Sequence, residues 1–166
     1  MTCEIDIADH QRVTFVNPAV LRHAVESALQ LEQVADAILS ISIVDNAAIH
    51  RINREHLQHD YPTDVISFQL EFSRDEIPDP DCSSPELRAS GARIEGEIIV
   101  SAQMAAEMAS TGQWTTMNEL TLYVVHGLLH ICGYDDLTPE EKAVMRSRER
   151  AILGALSLVP VYPDDA

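Results

Sequence analysis

The sequence predicts an α+β protein, with a single mixed sheet of about four strands and helices packed on it. Three observations lead there. Stretches with strand and helix periodicity are interspersed along the chain rather than segregated. Residues that start helices recur just ahead of the helix-periodic stretches. The longest apolar run, Leu120 to Cys132, holds two histidines four residues apart and is followed by a glycine.

Taken in order, Cys3 to Ala8 alternates as a strand does, and Asn17-Pro18 supplies an N-cap followed by proline at the first helical position. Val20, Leu21, Ala24, Val25, Ala28, Leu29 and Leu31 then form an amphipathic helix face. Ala37 to Val44, rich in Ile and Ser, is a second strand. Asp45 caps a helix to about Leu57, with Ala48, Ile49 and Ile52 inward. His59 to Thr63 is a loop and Val65 to Phe72 a third strand. Residues 74–93 hold prolines, serines, Gly91 and several acids without a period, which predicts a flexible surface excursion. Ile94 to Val100 is a fourth strand, and Ser101 caps the helix carrying Met104, Ala105 and Met108. Thr115 to Cys132 is a long buried helix bearing both histidines. Thr138-Pro139-Glu140-Glu141 reads as a capping box that opens a last helix through about Leu153. Strand order is not encoded in any of these local patterns.

A chain of 166 residues is most simply one domain spanning 1–166, able to bury roughly 70% of its extended surface without disulfide staples. Its three cysteines, Cys3, Cys82 and Cys132, are odd in number and scattered, as in reduced cytosolic proteins. The opening Met1-Thr-Cys-Glu-Ile-Asp lacks the basic start of a signal peptide, and the longest apolar run is too short to span a bilayer. A cytoplasmic protein without a membrane partner is expected. The net charge of −16, from 11 Lys+Arg against 27 Asp+Glu, repels polyanions over the surface as a whole. Any nucleic-acid role therefore needs a local basic or metal-bearing cleft, because counterion release requires cations facing phosphates.

His126 and His130 are one helical turn apart and lie on one face, side by side as a divalent metal requires. Gly133 can take a left-handed conformation and turn the chain back, so that a carboxylate supplies a third ligand. Asp135 and Asp136 both follow. Asp136, three residues past the glycine, occupies the third-ligand position of metzincin-like spacing. Two histidines and one carboxylate with an open fourth position make a catalytic rather than a structural set. Zinc is the default ion, although nickel or another first-row metal suits the same ligands. Zinc peptidases carry a glutamate directly after the first histidine as general base, whereas this chain has Gly127, which demotes a peptidase.

The segment His126-Gly-Leu-Leu-His130-Ile-Cys-Gly133-Tyr134-Asp135-Asp136 resembles the signature of the YbeY endoribonucleases, bacterial rRNA maturation factors. The resemblance extends to Asn53, Asp60 and the block Pro62-Thr63-Asp64-Val65-Ile66-Ser67-Phe68. It continues through Gly96-Glu97-Ile98-Ile99-Val100-Ser101 and includes Glu119, Leu120, Met145, Glu149 and Leu153. It implies a mixed α/β fold with one zinc held by residues 126, 130 and 136. It also implies a single-strand-specific endoribonuclease that acts on ribosomal RNA, including the 3′ end of the small-subunit RNA, and in ribosome quality control. The implied partners are single-stranded RNA and the small ribosomal subunit, with no DNA expected.

Two departures stand out. The family usually has a third histidine where this chain has Asp136, and a Tyr-Arg pair where this chain has His56-Leu57. Leucine cannot bind a phosphate. Arg54, a turn earlier on the same predicted helix, is the candidate replacement and a candidate catalytic residue beside His126 and His130, with protonated His56 and His59 as alternatives. Thr63, Asp64 and Ser67 read equally as turn chemistry or as functional residues. Cys132 falls on another helix face and belongs to the core, and His10, His23 and His50 receive no role. The working mechanism is metal-assisted phosphodiester hydrolysis. The competing readings are a ribosome-assembly factor that binds without cutting, its zinc structural, and another metal hydrolase.

Overall fold

The computed structural model describes residues 2–74, 87–112 and 114–162. Along the chain run β1 (Thr2–Asp9), α1 (Pro18–Leu31), β2 (Asp36–Val44), α2 (Asn46–Leu57) and β3 (Val65–Ser73). There follow β4 (Arg93–Ser101), α3 (Ala102–Thr111), α4 (Thr116–Ile131) and α5 (Pro139–Ala155). Among the described residues these form one four-stranded sheet in the order β1-β2-β4-β3, with five helices packed on it. β1, β2 and β4 are mutually parallel and β3 is antiparallel to β4. The mixed sheet is thus the one expected, and its order is what local patterns could not supply.

Each helix opens on a side-chain cap that satisfies an otherwise orphaned N–H, a contribution of about 1 kcal/mol apiece. Asn17, Asp45, Ser101, Thr115 and Thr138 accept from the backbone N–H groups of Ala19, Ala48, Met104, Asn118 and Glu141 at 2.9–3.2 Å. α1 buries Leu21, Ala24, Val25, Ala28 and Leu29, whereas Val20 and Leu31, expected on the same face, are exposed at its margins. α2 packs Ile49 on the opposite sheet face against Val44 and Ile66, with Ala48 and Ile52 alongside as anticipated.

The strand period of two sends Ala37, Leu39, Ile41 and Ile43 of β2, and Ile94, Ile98 and Val100 of β4, into the main core. Across that core lies α4, which buries residues on nearly its whole circumference. Two glycines set how closely it approaches the sheet. A Cβ on Gly96 of β4 would stand 2.5 Å from Ile131 Cδ1 and 2.8 Å from the Phe68 carbonyl oxygen. One on Gly127 would stand 2.9 Å from Ile98 Cγ2 and 3.0 Å from Val65 Cγ2. Position 127 therefore meets the sheet, which explains its lack of a side chain.

The excursion expected over 74–93 falls outside the described residues from 75 to 86, and its far end is a correction. Ala89 and Ala92 are fully buried, and the Ala92 carbonyl accepts from Ala35 N–H at 2.8 Å. Arg93 already belongs to β4. Small size and a tight turn let this stretch enter the core although it has no period. No helix among the described residues is long and apolar enough to cross a membrane.

Candidate metal centre

α4 ends at Ile131, and Gly133 takes φ +95°, the left-handed turn that its position suggested. Gly133 and Tyr134 N–H bond back to the carbonyls of His130 and Leu129 at 3.0 Å, and Gln69 Nε2 of β3 donates to Ile131 O at 2.8 Å. The helix end is therefore held, and the turn carries Asp136 back over the two histidines.

His126 Nε2 lies 3.1 Å from His130 Nε2 and 3.4 Å from Asp136 Oδ2, while His130 Nε2 lies 3.8 Å from Asp136 Oδ1. Zinc–nitrogen bonds of 2.0–2.1 Å in a tetrahedron set neighbouring ligands about 3.3 Å apart, so this spacing fits one ion. The remaining ring nitrogens support the same conclusion. His126 Nδ1 donates to Glu149 Oε1 at 2.5 Å, and His130 Nδ1 donates to the Tyr134 carbonyl at 3.1 Å. Both imidazoles thus turn Nε2 toward Asp136, as metal-ligating histidines do when a hydrogen bond fixes their tautomer. His126, His130 and Asp136 could hold a metal ion; Asp135 instead accepts the backbone N–H of Asp136 at 2.7 Å.

Without a metal, the three groups share protons. Burial acts to lower the pKa of His126, but the carboxylates of Asp136 and Glu149 outweigh it and raise it to about 9. Burial and the neighbouring His126 lower that of His130. The hydrogen bond from His126 holds Asp136 below the usual carboxylate range, against partial desolvation. A divalent cation suits a set whose donors already compete for a positive charge.

The supports reach across the molecule. Glu149 is buried on α5, and its Oε2 accepts from Tyr162 OH at 2.5 Å. Tyr134 OH donates to the fully buried Glu32 at 2.7 Å, and Glu32 also accepts from Arg148 Nε at 2.8 Å. Arg88 donates to the Gly133 carbonyl at 3.0 Å. Glu149 matched a family position but had no assigned contact, and Glu32 and Tyr162 were missed. The available signal was an acid on the apolar side of an amphipathic helix, beside Met145, Ile152 and Leu153.

His126 and Asp136 open on a cavity of about 410 Å³ lined also by Thr63, Asp64, Glu119, Tyr123, Lys142 and Arg146. Thr63 and Asp64 thus reach the site. Asp64 Oδ1 also accepts from Val65 N–H at 2.8 Å, the turn role that was the other reading. Arg54 is not among the lining residues: it is exposed on α2, which packs on the opposite sheet face from α4. His56 meets Phe68 edge-on at 6.0 Å, and His59 stacks on Tyr61 at 5.4 Å. Asn53 is buried and donates to the Tyr61 carbonyl at 2.9 Å, anchoring the loop into Thr63. Cys132 is buried in the core as expected.

Fold and site together define a class, an α+β protein whose two histidines and one carboxylate form a group that could hold a metal ion. A family model described as Endoribonuclease YbeY matches residues 5–157. The chain is 41% identical to the Endoribonuclease YbeY of Rhodopirellula baltica over 85% of its own length and 63% of that protein. It is 36% identical to that of Salinibacter ruber over 87% of each chain, and 31% identical to that of Lachnoclostridium phytofermentans over 95% of this chain and 99% of that one. The solution structure of TM1509 from Thermotoga maritima shares the fold, with a TM-score of 0.55 and 21% identity over 92% of this chain and 91% of that one. The chain belongs to the YbeY endoribonuclease family.

Proposed function

We propose that this chain is a zinc-dependent, single-strand-specific endoribonuclease that acts in the cytoplasm on ribosomal RNA. Its work there is maturation of the small-subunit RNA 3′ end and ribosome quality control. The observation that carries the reading is the convergence of His126, His130 and Asp136 beside an open cavity, in a chain matched to the family from residue 5 to 157. Zinc accords with a tetrahedral set of two imidazoles and a carboxylate. A divalent ion held there would stabilise negative charge developing on a phosphoryl oxygen. The chain's own residues do the rest. Glu149 and the Tyr134 carbonyl keep both imidazoles in the ligating tautomer, and the cavity admits a flexible strand beside the ligands.

The test is a digest of matched single-stranded and duplex RNA by protein loaded with zinc or stripped by chelator. Expected is cleavage of the single strand alone, lost on stripping and in His126→Ala. A 2′,3′-cyclic phosphate on the product would assign attack to the RNA's own hydroxyl rather than to water. Arg54→Ala belongs in the same assay, since Arg54 sits on the helix that leads into Thr63 and Asp64; full activity removes it from the reading.

The net charge of −16 and Leu57 in the usual place of an arginine favour a second reading, an assembly factor of the small subunit that binds and does not cut. Metal-loaded protein that leaves single-stranded RNA intact would select it. A peptidase is further disfavoured because position 127 packs on the sheet.

A further inference from the structure

Glu119 is an acid without an assigned role on the stripe of α4 that faces the cavity. It stands seven residues ahead of His126, so it lies on the same helix face about 10 Å along the axis. Both residues line the cavity of about 410 Å³. A second depression of about 240 Å³ adjoins it and shares Met108, Glu119, Val161 and Tyr162. Glu119 thus sits where the two hollows meet.

The walls of these hollows near Glu119 are largely apolar or aromatic. Met104 and Met108 come from α3, one turn apart, and Trp114 from the segment between α3 and α4. Met108 is 38% exposed and Val161 67% exposed, so this wall is open to a ligand. Thioether and indole groups suit the flat face of an aromatic ring. Trp114 Nε1 donates to Glu119 Oε2 at 2.6 Å, and the Tyr123 hydroxyl also hydrogen-bonds Glu119, which fixes the carboxylate. A carboxylate offers about four lone-pair sites, more than these two donors use. An apolar slot that ends in an acceptor-only group repels a phosphate and fits a flat ring with N–H donors on its edge.

We infer that Glu119, Met108 and Trp114 form a nucleobase subsite beside the metal centre, which takes the base next to the phosphate held there and selects one bearing an exocyclic amino group. The inference rests on the endoribonuclease reading and deepens it. The axial separation of about 10 Å matches the reach of one nucleotide from its phosphate to the far edge of its base. Cytosine presents an amino group that a carboxylate accepts, and adenine and guanine carry one as well. Uracil flanks its single edge N–H with two carbonyl oxygens, which the carboxylate repels. In a chain of net charge −16, holding a base by its face supplies affinity that phosphate contacts alone would otherwise have to provide.

Trp114 is the chain's one tryptophan, so its fluorescence reports occupancy of the subsite without any cleavage. The experiment titrates zinc-loaded protein with cytidine and uridine 5′-monophosphates, which differ only at the base edge, and follows the emission. Both should change the emission of wild type, with cytidine bound about tenfold more tightly, the discrimination that one well-placed base-edge pairing gives. Glu119→Gln keeps an acceptor for Trp114 and adds an amide N–H that suits a carbonyl, so the ratio should fall to within about twofold. Met108→Ala should weaken both nucleotides and leave their ratio unchanged, and both variants should retain metal. In a single-stranded RNA of mixed sequence, wild-type cuts should avoid uridine on one side of the bond, and those of Glu119→Gln should not. Wild type that binds the two nucleotides equally, or whose emission neither alters, overturns the subsite whether or not a variant folds, while RNA cleavage keeps the endoribonuclease reading. A preference that survives undiminished in folded Glu119→Gln overturns it too. Discrimination by a protein that cuts no RNA supports the subsite and overturns the endoribonuclease reading instead.

Discussion

His126 on α4 and Glu149 on α5, 23 residues apart, meet through an Nδ1–H donated to Oε1 at 2.5 Å. The contact fixes the ring so that Nε2 faces His130 and Asp136, and Tyr162 fixes the carboxylate in turn. Removing such a partner typically weakens metal affinity 10–100-fold. Glu149→Gln, which keeps an acceptor and drops the charge, should fall in that range and Tyr162→Phe should fall short of it. Chelator competition against wild type measures both; unchanged affinity in Glu149→Gln would mean that packing alone orients His126.

With Asp136 as the proposed third ligand, Asp136→Ala should lose most bound metal by elemental analysis, and Asp136→His should regain it. A ligand at 100 times its dissociation constant stabilises the folded state by about 2.7 kcal/mol. Zinc should therefore raise the Tm of wild type and leave that of Asp136→Ala almost unmoved. Equal Tm shifts in the two would place the ion elsewhere.

Glu32 is fully buried, with one oxygen on Arg148 and the other on Tyr134. Arg148→Ala strands that carboxylate and should cost about 3 kcal/mol in urea unfolding. Tyr134→Phe removes the hydrogen bond to that carboxylate, for about 1.5–3 kcal/mol, together with the one its hydroxyl accepts from Arg88 N–H at 3.2 Å. Because the Tyr134 carbonyl also orients His130, Arg148→Ala should weaken metal binding too, although Arg148 touches no ligand.

Two glycine-to-alanine changes should have opposite signs. At Gly96 the new methyl meets the Phe68 carbonyl, which cannot swing aside, so α4 or β3 must shift at about 1–3 kcal/mol. At Gly154 nothing lies within 4 Å and the residue is helical, so alanine should stabilise by about 0.5 kcal/mol. Chemical denaturation separates them, and a neutral Gly96→Ala would show that the contact between helix and sheet is compliant.

Burial, reinforced by the nearby charge of Glu32, pushes the Cys132 thiol far above its ordinary value of 9.0. The folded state thus retains a proton that the unfolded chain releases, so this group's contribution to stability is complete below pH 9 and declines as pH rises beyond it. Alkylation of Cys132 in folded protein should stay negligible from pH 6 to 9 and become rapid on unfolding, read by peptide mass spectrometry. Steady labelling of the native protein would reveal local opening at the end of α4.

What could be read directly from the residues was local. Asn17, Asp45, Ser101, Thr115 and Thr138 cap through atoms two or three residues away, and His126, His130, Gly133 and Asp136 lie within one helical end and its turn. Short-range geometry decides both, so spacing alone nominates them. The tertiary structure alone decided the rest. β4 lies between β2 and β3 because pairing across a sheet is set by which faces must be buried, and no local period records that. Glu149 and Glu32 join partners 13 to 116 residues away, and Lys142 and Arg146 reach the cavity only because α5 folds back over α4. A side chain's chemistry is written in its identity, but its partner is chosen by packing, which brings distant residues together only in the folded chain.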